Sequence, residues 1–132
     1  KVLLSADEIV ITATPDLASL RNAKNILDMT RQARPNDNSA HIVINQVGMP
    51  KRPEIPVKDF AEAVGAEATL VLPFNPGLFG TAANNGQMIE ELDPKGKTTE
   101  GLRFLARQLC GREMRASKPA KSSMFSFLSR KG

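Results

Sequence analysis

The stretch IVITATPDLASLRNAKNILDMTRQAR, residues 9–34, decides the fold. Ile9-Val10-Ile11-Thr12 is a short β-branched run, bounded by Asp7-Glu8 before it and Thr14-Pro15 after it. Apolar residues fall on both of its faces, as in a strand buried within a parallel sheet. Thr14-Pro15-Asp16 then reads as a helix start. Thr14 is the expected N-cap, Pro15 the first helical residue, and Asp16 favours the helix dipole. Leu17, Leu20, Ala23, Leu27 and Thr30 recur at steps of three and four, which is one face of a helix. Arg31 and Arg34 fall in its last turn, and Pro35-Asn36-Asp37-Asn38 ends it.

The same pattern repeats downstream. Ile42-Val43-Ile44 is a second buried strand, leading into Asn45-Gln46-Val47-Gly48 and a loop of Pro and charge from Met49 to Glu54. Val57, Phe60, Ala61 and Val64 form a helical stripe, with Gly65 suited to its carboxyl end. Thr69-Leu70-Val71-Leu72 is a third strand, stopped by Pro73. Residues 78–92 are mixed, with breakers at Asn84-Asn85-Gly86. Leu102, Leu105, Ala106 and Leu109 make a last helical stripe, closed by Gly111. Apolar strands alternating with helices mean right-handed βαβ units: an α/β fold, a parallel sheet with flanking helices. A three-stranded sheet is narrow, and its first strand wants a neighbour. The chain opens on Lys1, with no Met and no signal-type start. The expectation is a partial domain, cut from something longer.

Composition narrows the function. The 132 residues suffice for one domain. No apolar run approaches the ~18 residues of a membrane span. One Cys excludes an internal disulfide, and one His with one Cys excludes an ordinary zinc set. No Trp, no Tyr and six Phe leave few stacking platforms for RNA or single strands. The net charge of +4 is uneven. Residues 1–111 carry 12 basic against 13 acidic side chains, a net of −1, and residues 112–132 carry six against one, a net of +5. The basic character therefore belongs to the tail, and no nucleic acid is expected on the body. The chain divides into a body, 1–111, and a basic tail, 112–132, rich in Ser, Lys and Ala and expected to be flexible. Met124-Phe125-Ser126-Phe127-Leu128, flanked by Lys121, Arg130 and Lys131, reads as a disordered end or as a docking element for an anionic membrane or a partner's groove.

No catalytic constellation is visible: there is no GxGxxG, GxxxxGK[ST], GxSxG or HExxH. His41 is expected to be a partly exposed strand residue and Cys110 a core residue. Asp7 and Glu8 are expected to be solvated, since adjacent strand residues point to opposite faces. In parallel α/β sheets, ligands bind at the carboxyl ends of strands. Thr14-Pro15-Asp16, Asn45-Gln46-Val47 and Pro73-Phe74-Asn75-Pro76-Gly77 all fall there. Asn45 carries a carbonyl and an amide on one short side chain, which suits the donor and acceptor edge of a purine. Pro73-Phe74-Asn75-Pro76 offers backbone groups and an apolar wall to the same ring. Asn at a strand end is also a common turn former, and on composition both readings stand.

ADEIVITATPDLASLRNA (6–23) resembles the stretch just past the second switch of MinD/ParA-type ATPases. INQVG (44–48) resembles their apolar-Asn-Arg motif, and LPFN (72–75) their Ile-Pro-x-Asp motif. LFGTAANNGQ (78–87) and PKRPE (50–54) look like one branch, the CpaE/TadZ pilus-assembly proteins. The resemblance runs from about Val2 to Arg112 and implies a three-layer P-loop NTPase-like domain. Its phosphate loop, Mg-binding switch and second switch would lie upstream of Lys1. It places an adenine contact on Asn45 and base contacts on Pro73, Phe74 and Asn75. The motif's Arg is Gln46 here, and its Asp is Asn75. No catalytic residue and no metal ligand has a counterpart in the chain.

The resemblance implies ATP or ADP with Mg in the parent, with no tight binding to this chain alone. It implies pilus and secretion machine proteins as partners and a homodimer of the parent. It implies a cytoplasmic site at the inner membrane or cell pole, with the basic tail similar in flavour to the membrane-targeting helix of MinD proteins. Two other readings compete. One is a non-hydrolysing scaffold working by protein–protein contacts, which a phosphate loop lacking its Lys would favour. The other is an independent flavodoxin-like binding domain, which would need a complete sheet and a stable monomeric fold.

Overall fold

Residues 1–111 are described by a computed structural model of the chain. After an opening turn, α1 (Val2–Ser5), come β1 (Val10–Ala13), α2 (Leu17–Ala33), β2 (His41–Val47), α3 (Val57–Val64) and β3 (Ala68–Pro73). Then follow α4 (Pro76–Asn85), α5 (Ile89–Leu92) and α6 (Lys97–Leu109). The strands pair in parallel in the order β1-β2-β3, so the alternation of strand and helix is the topology found. Because this order never reverses, crossovers of one hand place both connecting helices on the same face. On that face Ile11, Ala13, Ile42 and Ile44 meet Ala23, Leu27, Phe60 and Val64. On the other, Val43, Leu70 and Leu72 meet Leu102 and Leu105 of α6. The result is three layers, helices–sheet–helix.

Several sequence expectations need correction. β1 does not bury both faces. Ile11 and Ala13 are buried, but Val10 is 38% exposed and Thr12 lies open. The cause is the placement of α6, which packs on β3 and Val43 and, among the described residues, leaves the second face of β1 without a helix. The buried stripe of α2 is Ala23, Leu27 and Thr30, while Leu17 in its first turn is exposed. Cys110 is exposed rather than in the core, because α6 ends at Leu109 and Cys110 is its C-cap, beyond the last packed turn. Gly111 therefore does not close that helix. The expected cap at Gly65 is found, with a left-handed φ of 82° that a residue with a Cβ seldom adopts.

No helix among the described residues is long and apolar enough to cross a membrane. The tail, including residues 124–128, lies outside the described residues.

Candidate functional site

The three segments that follow the strands meet at the carboxyl edge of the sheet, and backbone bonds tie them. Ile55 N–H, in the segment after β2, donates to Pro15 O, after β1, at 2.9 Å. Phe74 N–H, after β3, donates to Val47 O at 2.8 Å. The edge is thus one surface, as the strand-end rule requires.

At the first segment the cap is Asp16, not Thr14. Asp16 is extended, with φ −130°, and its Oδ1 accepts Ser19 N–H at 2.8 Å. Thr14 Oγ1 donates to Asp16 Oδ2, and Thr14 N–H donates to Ser19 Oγ at 2.9 Å. A carboxylate satisfies more orphan donors than a hydroxyl, so the helix starts two residues later than the Thr-Pro pair suggests. The Thr14 hydroxyl, then the Ser19 amide, and more weakly the charge of Arg52, hold the Asp16 carboxyl below the usual range. Its folded-state value is the lower one, so its contribution is present above the unfolded-state value. That contribution is lost as pH falls through the folded-state value. Asp16→Ala is expected to destabilise the chain by about 0.5–2 kcal/mol in urea unfolding at neutral pH. The difference from wild type should shrink as acid protonates Asp16. A difference independent of pH would contradict the charged cap.

At the second segment Asn45 and Gln46 lie inside β2, and the ladder to β3 slips between Ile44 and Val47. Gln46 has φ 58°. Half-buried Asn45 accepts Gln46 N–H on Oδ1 at 2.9 Å, and among the described residues its Nδ2 donates no hydrogen bond. Arg52 reaches back to this point. Its Nη2 donates to Gln46 O and, at 2.9 Å, to Glu54 Oε1, and its Nη1 lies 3.4 Å from Gln46 Oε1. Glu54 also accepts Gly48 N–H at 2.9 Å and Met49 N–H at 3.1 Å. The Arg52 bond, then the Gly48 amide, lower the Glu54 carboxyl from the ordinary range. Arg52 Nε is buried and, among the described residues, has no partner. Sequence reading treated Lys51-Arg52-Pro53-Glu54 as a charged loop and missed this brace.

At the third segment Phe74 is half-buried and Pro73 exposed. Asn75 is the N-cap of α4, with Oδ1 accepting Leu78 N–H at 3.1 Å and Pro76 at the first helical position. The Phe74–Val47 bond fixes Pro73, Phe74 and Asn75 beside the strand that carries Asn45.

His41 and Glu8 lie elsewhere, at the amino ends of the strands. His41 Nε2 is 3.6 Å from the Glu8 carboxylate, and Nδ1 is 3.3 Å from Thr69 Oγ1. A cavity of about 600 Å³ opens nearby, lined by Ala6, Glu8, Ile9, Arg34, Ser39 and Cys110. The Arg34 guanidinium there is already bound to Leu3 O, Ala6 O and Asp37. Ser5, Asp7 and Asn38 also line this cavity, but Asn45, Pro73, Phe74 and Asn75 do not; they lie at the opposite, carboxyl edge of the sheet, where ligands of parallel α/β folds bind. Among the described residues no group of three or more His, Cys, Asp or Glu could hold a metal ion.

No protein-family model matches the chain, and no curated protein does. Solved structures do. A MinD cell division protein of Aquifex aeolicus is 24% identical, covers 83% of this chain and 46% of its own, and superposes with a TM-score of 0.66. A MinC:MinD cell division protein complex of the same organism gives 25% identity, 80% and 43% coverage and a TM-score of 0.65. A ParA family ATPase from Chlorobium tepidum TLS gives 20% identity, 82% and 43% coverage and a TM-score of 0.59. The chain has the fold of these ATPases and spans less than half the length of each of them.

Proposed function

We propose that residues 1–111 form the adenine side of a nucleotide site in a MinD/ParA-like ATPase, and that 112–132 are its basic tail. The parent would act in localisation and assembly of a type IVb (Flp/Tad) pilus machine. The observation that carries the nucleotide reading is the meeting of the three segments at the carboxyl edge where β2 ends, with Asn45 near the end of that strand and its NH₂ without a partner among the described residues. Asn45 Oδ1 keeps a second lone pair after accepting Gln46 N–H. Nδ2 donating and Oδ1 accepting suit the N7 and N6 groups of adenine. Pro73 and Phe74 supply an apolar wall, and the Asn75 amide stands at its rim.

The pilus assignment rests on the resemblance of 78–87 and 50–54 to the CpaE/TadZ branch. Its implied partners are pilus and secretion machine proteins and a second copy of the parent, at the cytoplasmic face of the inner membrane or the pole. One observation favours the scaffold reading instead. Gln46 stands where the motif has a cation. A parent with a degenerate site would work by protein contacts alone.

Nucleotide affinity comes mostly from phosphates and Mg, held by a Gly-rich loop. ATP with Mg is therefore expected to bind this chain about as weakly as adenosine. The test is a titration of the ¹⁵N-labelled chain with millimolar adenosine and with ATP·Mg, read by amide and side-chain NMR shifts. The expected result is a shared set of shifts at Asn45, Val47 and Phe74 and no phosphate release. Shifts confined to the amino-edge cavity, or turnover of ATP, would overturn the reading.

A further inference from the structure

The left-handed region disfavours any residue with a Cβ, yet Gln46 occupies it inside a strand. Something must hold it there. Gln46 N–H is held by Asn45 Oδ1, and Gln46 O by Arg52 Nη2. Glu54 in turn holds the other side of Nη2 and the backbone of Gly48 and Met49. A guanidinium serving only to neutralise Glu54 could stay in water with all five donors satisfied. Arg52 instead leaves Nε buried and without a partner among the described residues, only 21% of its side chain being exposed. Its location is dictated by the Gln46 carbonyl.

The consequence reaches Asn45. An amide plane whose carbonyl is fixed on Gln46 N–H carries its NH₂ on the opposite side, in one orientation. We infer that Arg52 is a positioning residue: by holding Gln46 left-handed, it orients the Asn45 carboxamide for a purine base. The cation that the Asn-Arg pattern lacks at Gln46 is thus supplied six residues later, through space. This inference rests on the nucleotide reading for the ligand, but the Arg52–Gln46–Asn45 relay can be measured without one.

The experiment uses the 132-residue chain and three variants: Arg52→Ala, Gln46→Gly, and the double variant Gln46→Gly/Arg52→Ala. Exchange of the Gln46 amide and adenosine-induced shifts at Asn45 Nδ2 are read in each, with the amides of Ile42 and Ile44 reporting the intact sheet. Arg52→Ala is expected to speed exchange at position 46. It should weaken the adenosine response on the order of fivefold, the worth of one oriented hydrogen bond. Gly adopts positive φ without the Cβ penalty, so the double variant should recover most of that response. A merely structural loss would not be rescued by removing a further side chain. An unchanged response in Arg52→Ala would overturn the inference, and so would a double variant that stays impaired. If the wild type itself ignores adenosine, the nucleotide reading fails. Exchange at position 46 then decides the relay separately, since exchange unaltered by Arg52→Ala overturns it.

Discussion

Phe60→Ala is expected to leave the chain with little or no cooperative unfolding transition. Phe60 is fully buried in α3, in the cluster that also holds Leu27, Ile42, Ile44 and Val64. Removing a buried Phe costs about 3–5 kcal/mol, the transfer term plus the cavity left behind. A domain of this size has only about 5–15 kcal/mol in total, and a narrow sheet with an uncovered β1 face sits at the low end. Phe104 provides the control. It is 46% exposed on α6, and Phe104→Ala should change stability by less than ~0.5 kcal/mol. Urea titration followed by circular dichroism separates the two. Equal midpoints for Phe60→Ala and wild type would mean that α3 does not form this core. The same loss should reach the candidate site, because Ile44 in that core directly precedes Asn45.

The strands and α2, α3 and α6 were legible because each strand is a short apolar run with β-branched residues and each of these helices repeats its apolar residues at the helical period, whereas α4 falls in the mixed stretch before Gly86. The carboxyl edge was legible for the same reason, since strand ends follow once strands are known. What periodicity does not encode was missed. Thr14 and Asp16 are both good caps, and the choice turned on which side chain could accept Ser19 N–H. The openness of β1 depends on where α6 lands, a contact between segments far apart in sequence. Cys110 fell one residue past a helix end, where a stripe carries no information about burial. The Arg52–Gln46 bond spans six residues through a left-handed Lys51 as well as a left-handed Gln46, and no period marks such a turn. Asn75, expected as a base contact, is the N-cap of α4, a local role that a motif likeness does not encode.

Gly101→Val is the second large expected effect, and here two terms oppose each other. Gly in a helix interior is about 0.8–1 kcal/mol worse than Ala, so on propensity alone almost any substitution in α6 should stabilise. Gly101, however, lies where α6 crosses β3, and a Cβ there would stand 2.6 Å from Leu70 Cδ1. Leu70 is itself buried, in the cluster with Val43 and Leu72, so its methyl can turn aside for one added carbon but not for three. Overpacking of this kind costs about 1–3 kcal/mol. For Ala the single methyl can be met by a small turn of Leu70, and the propensity gain offsets most of the strain. For Val, propensity returns only a few tenths of a kcal/mol relative to Gly while two further methyls press on β3. The expected order of urea midpoints is therefore wild type and Gly101→Ala close together, with Gly101→Val lower by about 1–3 kcal/mol. Gly101→Val/Leu70→Ala should recover part of the loss, because the smaller residue on β3 vacates the space that Val needs. A Gly101→Val chain as stable as Gly101→Ala would mean that α6 does not close on β3 at this point. The second face of the sheet would then be as open over β3 as it is over β1.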